Sequence, residues 1–432
     1  MQRRSGTVTA PVELLPETDD GRAEPGLLAV FAGQRPACIA VAAGRVGRDS
    51  MLALGLEDAQ MSREHFELEL RAGTLCLRDL GSRNGTFVGG KQLDARSELR
   101  SGSVVRAGST LFIAVPNLRP FERAPTRTDA GIVAGPATAR LLSLARGIGK
   151  AADQLFITGE SGSGKELVAA AFHGASDGRP GPFVAVNCAT IQGGLAERLL
   201  FGARRGSFTG ADSDAEGYVQ AAAGGTLFLD EIAELEPAVQ AKLLRFMETR
   251  EFFALGDVRP RRVELKLCFA TLKDLAREVE QGRFRADLRH RLATPAIALP
   301  PLRERKEEIP HLIAASLVGT RVTSGLSFVE RALIAEWPGN VRQLRRGVEA
   351  AVMLAEIEGR SALVAGDLPD ADAAEPSDAT SDDTPLPSEE AIREALAAAG
   401  GNVSVAAREL HITRSRLRRW MEKQQRPTQQ QS

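Results

Sequence analysis

Seven consecutive residues carry the strongest chemical signal in the chain. Gly159-Glu160-Ser161-Gly162-Ser163-Gly164-Lys165 follows the apolar run Leu155-Phe156-Ile157-Thr158 and precedes a helical stretch, Glu166 to Phe172. A glycine-rich turn between strand and helix aims backbone N–H groups and the helix N-terminus at a phosphate, and Lys165 reaches its outer oxygens. The spacing fits a phosphate loop except at Glu166, which stands where a Ser or Thr hydroxyl would meet magnesium. A second constellation follows about 65 residues later. There the apolar strand Leu227-Phe228-Leu229 ends in two carboxylates, Asp230 and Glu231. Alone, such a pair reads as a helix cap. Downstream of a phosphate loop, Asp230 is expected to hold hydrated Mg2+ and Glu231 to polarise the attacking water.

These groups need a scaffold of buried strands and helices, and the chain is long enough to supply one. Its 432 residues, 43% apolar and 26% charged, imply two to four globular domains and exclude a disordered protein. The net charge of −1 excludes a globally basic nucleic-acid binder, so any such site is local. Four cysteines (Cys38, Cys76, Cys188, Cys268) lie far apart, which argues against a zinc site or a disulfide framework. No apolar stretch is long enough for a membrane helix and no signal peptide is visible, so a cytoplasmic chain without membrane contact is expected.

Composition shifts place the boundaries. From Leu27 to Val115 short alternating runs are punctuated by glycine; Phe66, Leu68 and Leu70, a turn at Ala72-Gly73, then Leu75 and Leu77 predict an antiparallel hairpin within a β-sandwich. A Pro- and Arg-containing connector spans 116–128. Strand runs alternating with helical patterns over 129–366 predict an α/β module. Residues 367–388 read as an acidic, self-repelling linker, since Asp367 to Glu390 holds nine acidic residues and no Lys or Arg. The segment 389–426 reads as short helices that turn basic.

With these pieces in place, the central region resembles the AAA+ domain of bacterial enhancer-binding proteins, the activators of sigma-54 RNA polymerase. The matching pieces are residues 159–166, Phe-Val-Ala-Val-Asn-Cys at 183–188, Gly-Ser-Phe-Thr-Gly-Ala at 206–211 and Gly-Gly-Thr-Leu-Phe-Leu-Asp-Glu-Ile at 224–232. Phe284 to Leu288, Arg291-Leu292, Pro301 to Arg305 and Trp337 to Arg342 follow in family order. The resemblance implies an α/β P-loop ATPase with a helical lid, taking ATP and Mg2+ and working as a homo-oligomer, from dimer to hexamer ring. It implies that Gly159 to Glu166 bind the nucleotide, that Asn187 restrains Glu231, and that Arg285 and Arg291 act as arginine fingers toward a neighbouring subunit. Arg342 matches a nucleotide-sensing arginine. Gly206, Ser207, Phe208, Thr209, Gly210 and Ala211 match the loop that touches the sigma factor.

Three departures from the family stand out. Leu272 replaces a polar residue that senses the nucleotide, and a leucine side chain cannot hydrogen-bond, so coupling of hydrolysis to loop motion is in doubt. Leu199 replaces a glutamate, and Ala203-Arg204 replaces His-Glu; both changes are expected to weaken how the loop is latched.

The flanks carry two further resemblances. Gly47-Arg48, Ser62-Arg63-Glu64-His65 and Gly81 to Thr86 resemble the signature of forkhead-associated (FHA) domains, assigned to residues 1–118. A dianionic phosphate suits an Arg fork and a hydroxyl, so Arg48 and Ser62 are expected to bind phosphothreonine, with Arg63 and Arg83 assisting and Asn84 fixing the peptide. His65 reads as a brace. The C-terminal helices look like a Fis-type helix-turn-helix, with Thr413 as N-cap and Ser415 beside it. The resemblance implies that Arg414, Arg416, Arg418 and Arg419 face DNA. The expected protein is therefore a regulator that joins phosphothreonine protein or Ser/Thr kinase, sigma-54 polymerase and upstream enhancer DNA. The alternative is a non-hydrolysing DNA-binding scaffold with a degenerate AAA+ domain.

Overall fold

The computed structural model describes residues 23–175, 181–191, 194–207, 213–293, 295–369 and 391–393. The N-terminal strands are β1 (Gly26–Ala32), β2 (Arg35–Val41), β3 (Gly44–Val46), β4 (Phe66–Arg71), β5 (Thr74–Asp79), β6 (Thr86–Val88), β7 (Lys91–Gln92), β8 (Ser97–Leu99), β9 (Val104–Ala107) and β10 (Thr110–Val115), with helix α1 (Arg48–Ala53) after β3. They form two facing sheets, ordered β2-β1-β10-β9-β6-β7 and β3-β4-β5-β8. The expected hairpin is β4–β5, with Leu68 opposite Leu77 and a turn in which Ala72 and Gly73 both have positive φ.

The segment 116–128 is not a bare connector. It contains α2 (Arg119–Arg123), and its end enters β11 (Arg127–Asp129), which pairs with β12 (Ile132–Ala134). Then follow α3 (Pro136–Ala151), β13 (Gln154–Thr158), α4 (Lys165–His173), β14 (Phe183–Asn187), α5 (Ala196–Phe201), α6 (Tyr218–Ala221), β15 (Thr226–Asp230) and α7 (Pro237–Thr249). A short ribbon of β16 (Glu251–Phe252) and β17 (Arg261–Arg262) precedes β18 (Lys266–Thr271), α8 (Leu275–Glu280), α9 (Ala286–Leu292) and β19 (Ala296–Ala298). Strands β14-β15-β18-β13-β19 form one parallel sheet. Alternation sends its side chains into two cores: Phe156, Leu229 and Phe269 to one face, Leu155, Ile157, Phe228 and Cys268 to the other.

The lid comprises α10 (Ile309–Ser316), β20 (Thr323–Ser324), α11 (Leu326–Ile334), α12 (Asn340–Ile357) and β21 (Ala362–Leu363). It extends past residue 366, where the acidic linker was expected to begin. Asp367 accepts two bonds from Arg360, at 2.7 and 2.8 Å, and Leu368 is buried in the lid core.

That core does not stop at the lid. Leu28, Val30, Leu111, Ile113 and Val115 of β1 and β10 share one apolar cluster with Ile309, Ile313, Phe328, Val329, Leu333, Trp337 and Leu344. The alternate residues Leu27, Ala29, Phe112 and Ala114 point into the sandwich core. The larger sheet is therefore covered on both faces, by its partner sheet and by the lid. At the edge of this junction Arg106 donates to Glu330 at 2.9 Å and lies over the Phe87 ring. Among the described residues no helix is long and apolar enough to cross a membrane.

Candidate active site

The phosphate loop lies between β13 and α4, as its sequence requires. Gly159, Gly162 and Gly164 all have positive φ, and a Cβ at Gly162 would meet the Gly339 carbonyl oxygen at 2.3 Å. Ser163 Oγ is buried without a hydrogen-bond partner, and the side chain of Lys165 is 5% exposed. A polar atom left orphaned inside a glycine cradle is what a phosphate-binding loop presents before its ligand arrives. Lys165 Nζ donates to the Gly159 carbonyl at 3.1 Å and to Glu231 Oε1 at 3.3 Å.

Asp230 and Glu231 stand at the C-terminal end of β15, beside that loop. Glu231 adopts a left-handed conformation (φ 53°), and its Oε2 accepts the backbone N–H of Leu272 at 3.1 Å. The Leu272 side chain is 54% exposed and takes no part. The contact to Glu231 at position 272 thus comes from the main chain, which any residue supplies. Beneath the pair, burial and then the Asp230 and Glu231 charges push the Cys188 thiol up to about 12, so it stays protonated. All four cysteines are free. Among the described residues no cluster of three or more His, Cys, Asp or Glu side chains could hold a metal ion on its own.

Asn187 lies opposite Asp230 in the sheet register, but its Oδ1 accepts from Ala189 N at 2.9 Å rather than engaging Glu231. Arg285 caps α9 and forms a two-bond pair with Asp287, at 2.7 and 3.0 Å, while Arg291 is exposed on the same helix. Neither arginine bonds the chain's own phosphate loop. Glu166 is exposed on the first turn of α4.

The lid closes on the loop through polar groups. Arg342 donates to Ser161 Oγ at 3.1 Å, and Val341 N to the Gly162 carbonyl at 3.1 Å. Two residues without a sequence-derived role complete the contact. Fully buried Asn340 donates to Glu160 Oε2 and to the Ser161 carbonyl, both at 3.0 Å, and Arg303 grips Glu160 with bonds of 2.7 and 2.9 Å. The Arg303 guanidinium holds the Glu160 carboxyl below the usual range, against a smaller opposing effect of burial. Behind the loop, Arg305 donates to the Ser163 carbonyl at 2.5 Å and pairs with Glu308.

Of the loop expected to touch the sigma factor, Gly206 and Ser207 are described; Phe208, Thr209, Gly210 and Ala211 lie outside the described residues. Its stem is held, contrary to the expected loosening. Ala203 and Ala215 exchange backbone bonds, and Arg204 pairs with Asp214 at 2.5 Å and Asp257 at 3.0 Å. Arg204, ahead of the loop, is thus tied to Asp214 beyond it and to Asp257 of another segment.

In the sandwich, Arg48 at the start of α1 gathers with Ser62, Arg63, Arg83 and Asn84 on neighbouring loops. Arg48 N donates to the Ser62 carbonyl, Arg83 N to Ser62 Oγ, and Asn84 Nδ2 to the Gln60 carbonyl. A Cβ at Gly47 would fall 1.9 Å from the Arg63 carbonyl oxygen, so the approach of these loops needs glycine there. Buried His65 accepts from Ser62 N at 3.0 Å and reaches the Gly85 carbonyl at 3.2 Å, bracing the loops as expected. Asp79, given no role by its sequence, accepts from Ser82 and Thr86 hydroxyls and fixes the 81–86 turn. Thr413, Arg414, Ser415, Arg416, Arg418 and Arg419 lie outside the described residues.

Comparison with known proteins agrees with this arrangement. Family models match in order: FHA domain at 44–108, Sigma-54 interaction domain at 132–298, and bacterial regulatory protein, Fis family, at 388–423. The transcriptional regulatory protein ZraR of Klebsiella oxytoca is 40% identical over 327 residues, covering 71% of this chain and 73% of that protein. The chain belongs to the sigma-54-dependent transcriptional regulators. The Nif-specific regulatory protein of Herbaspirillum seropedicae is 45% identical over 207 residues, 45% of this chain but only 37% of that protein. Among solved structures of similar fold, NtrX from Brucella abortus in complex with ATP superposes with a TM-score of 0.51 at 30% identity, covering 69% of this chain and 70% of that one. This sigma-54-dependent regulator therefore joins an N-terminal FHA region, a central AAA+ module with a parallel sheet, and a C-terminal Fis-type helical region.

Proposed function

We propose that the central module hydrolyses ATP and spends the cycle on remodelling sigma-54 RNA polymerase. On this reading the FHA region receives a phosphothreonine signal and the Fis-type tail docks on upstream DNA. The observation that carries the reading is the position of Glu231, whose carboxylate is suspended between Lys165 Nζ and the Leu272 N–H at the mouth of the glycine cradle.

Incoming phosphates compete for Lys165 and for the orphaned Ser163 Oγ. Drawing Lys165 away releases one oxygen of Glu231, leaving it free to accept a proton from water while Leu272 N–H still orients the other. Mg2+ fits this site only together with the nucleotide, held by the phosphates and Asp230, because Glu166 offers no hydroxyl. When bound, the ion neutralises charge that builds on the transferred phosphoryl group. Arg342, already on Ser161, senses the phosphate loop from the lid. Arg285 and Arg291, neither of them bonded to their own loop, suit the nucleotide of a neighbouring copy in a ring. On this reading Asn187, opposite Asp230 in the sheet register, takes over Glu231 once that side chain leaves Lys165. The loop 206–211 carries the cycle to the sigma factor.

A non-hydrolysing scaffold rested on Leu272, and the main-chain contact to Glu231 weighs against it. The deciding experiment is ATP turnover by the full chain with Glu231→Gln. Nucleotide binding should persist while turnover falls by about 10²-fold or more. Unchanged turnover removes Glu231 from the role of base.

A further inference from the structure

A fully enclosed ion pair lies behind the phosphate loop. The side chains of Arg305 and Glu308 are 4% and 1% exposed, and Arg305 Nη1 donates to Glu308 Oε2 at 2.8 Å. The same nitrogen donates to Thr138 Oγ1 at 3.2 Å, and Glu308 Oε1 accepts the Gly135 N–H at 2.8 Å. The pair is thus anchored to the start of α3. The turn that carries it is pinned as well, since the Leu302 N–H donates to Asn340 Oδ1 at 2.7 Å. With Nη1 held on that side, the planar guanidinium aims its other terminal nitrogen, Nη2, at the Ser163 carbonyl, 2.5 Å away. Beside the pair, burial and then the Glu308 charge raise the Glu307 carboxyl to about 8, so near pH 7 it is mainly neutral and does not compete for Arg305.

Stability alone does not account for this arrangement. Taking two charges out of water costs about as much as their attraction returns, and apolar residues of similar volume often serve as well. What the ion pair supplies, and an apolar pair cannot, is direction. The peptide joining Ser163 to Gly164 is planar and trans, so its carbonyl and its N–H point in opposite directions. Holding the Ser163 carbonyl on Arg305 therefore fixes the Gly164 N–H on the opposite side. That N–H has no partner among the described residues. Gly164, at φ 106°, is the residue from which α4 starts, so its N–H joins the unsatisfied donors at a helix N-terminus that an anion completes. Because Glu308 neutralises Arg305, the effect on the loop is one of position rather than of charge.

We infer that Arg305 is a positioning residue for the nucleotide, which turns the Ser163–Gly164 peptide so that the Gly164 N–H meets a phosphate oxygen. Arg305 touches no atom of the nucleotide and acts through that one peptide. This role presupposes that the glycine cradle is a nucleotide site, and names the side chain that sets the cradle's shape from behind.

The test measures binding of ADP and of adenosine to the full chain, each by displacement of a fluorescent ADP analogue. Arg305→Lys keeps the charge that Glu308 needs but has no second prong for Ser163. Arg305→Met combined with Glu308→Gln removes both charges together and strands neither. Each should weaken ADP by about tenfold or more, while adenosine, which has no phosphate, stays within about twofold of wild type. A merely structural role would move the melting temperature without separating the two ligands. Folded variants that bind ADP as the wild type does, or that lose ADP and adenosine in equal measure, overturn the positioning role and leave the nucleotide site in place. A wild-type chain that binds no ADP removes the nucleotide site itself, and the role of Arg305 with it.

Discussion

Toward the sandwich the lid presents Phe328, Val329 and Leu333, all closed off from water against β1, β9 and β10. Toward the phosphate loop the lid presents Asn340 and Arg342, and the turn before it presents Arg303; these meet Glu160 and Ser161 through hydrogen bonds and an ion pair. The first surface is held by burial, which is non-directional and indifferent to nucleotide charge. The second is directional and ionic, and every partner in it lies where a phosphate's charge is felt. The lid is thus held to the FHA region by burial and to the phosphate loop by polar contacts within reach of a bound nucleotide's charge. Movement, when it comes, should take sandwich and lid together.

The largest effect is expected from breaking the apolar side. Leu111→Ala, in the sandwich, should cost roughly 2–5 kcal/mol. The urea midpoint reported by the fluorescence of buried Trp337, in the lid, should move with it. A Trp337 midpoint that stays put shows that sandwich and lid unfold independently.

Glu307, at the boundary between the two surfaces, should sharpen the contrast through pH. Its folded value, about 8, lies above the ordinary 4.5. Below about pH 4.5 both folded and unfolded chains hold the proton. As pH rises toward 8 the unfolded chain releases it while the folded one keeps it, so stability is lost. Glu307→Gln, which cannot ionise, should therefore stabilise by on the order of 2 kcal/mol at pH 8 and by almost nothing at pH 4.5. Equal denaturation midpoints at the higher pH show that the carboxyl is not held neutral.

On the polar side, Glu160→Gln should cost under about 1 kcal/mol, because the Arg303 pair is partly solvent-exposed, while changing nucleotide affinity measurably. The folded Glu160 carboxyl lies below its ordinary value of 4.5, so its contribution is present above that pH and lost as pH falls through the lower folded value. Wild type and variant should converge in acid. A large stability loss at pH 7 with unaltered nucleotide binding would reverse the assignment of the two surfaces. The smallest effect belongs to Leu272→Asn. Since the main chain already holds Glu231, steady-state turnover should stay within about threefold of wild type. A tenfold change would return the sensing role to the side chain.

The phosphate loop and the acidic strand end were legible because their chemistry is local: seven residues in a row and two at a strand terminus. The sandwich hairpin was legible for the same reason. The docking of sandwich on lid was not read, although a signal existed. Leu27 to Phe31 and Leu111 to Val115 are unbroken apolar runs in antiparallel strands, which alternate when one face is wet. Asn340 and Arg303 escaped assignment because Glu160 is 180 and 143 residues away in the chain. At position 272 residue type reports only the side chain, whereas the contact to Glu231 is made by the backbone. Arg204 is the opposite case, since its value depends on Asp214 and Asp257 arriving from two other segments.

The outer face of the larger FHA sheet bears on how deletions of this chain are to be understood. A cut at residue 118 bares Leu28, Val30, Leu111 and Ile113 on one fragment and Phe328, Val329 and Leu333 on the other. Each fragment then carries a water-exposed apolar patch of the kind that drives aggregation. A strain lacking the first 118 residues would harbour a damaged motor, and its phenotype would be mistaken for lost regulation. Swapping the region onto an unrelated regulator meets the same obstacle, because the graft brings half of an interior with it. On the proposed reading, point changes in the residues that face the 62–63 and 83–84 loops, Arg48 foremost, are the ones expected to silence the input while leaving that interior whole.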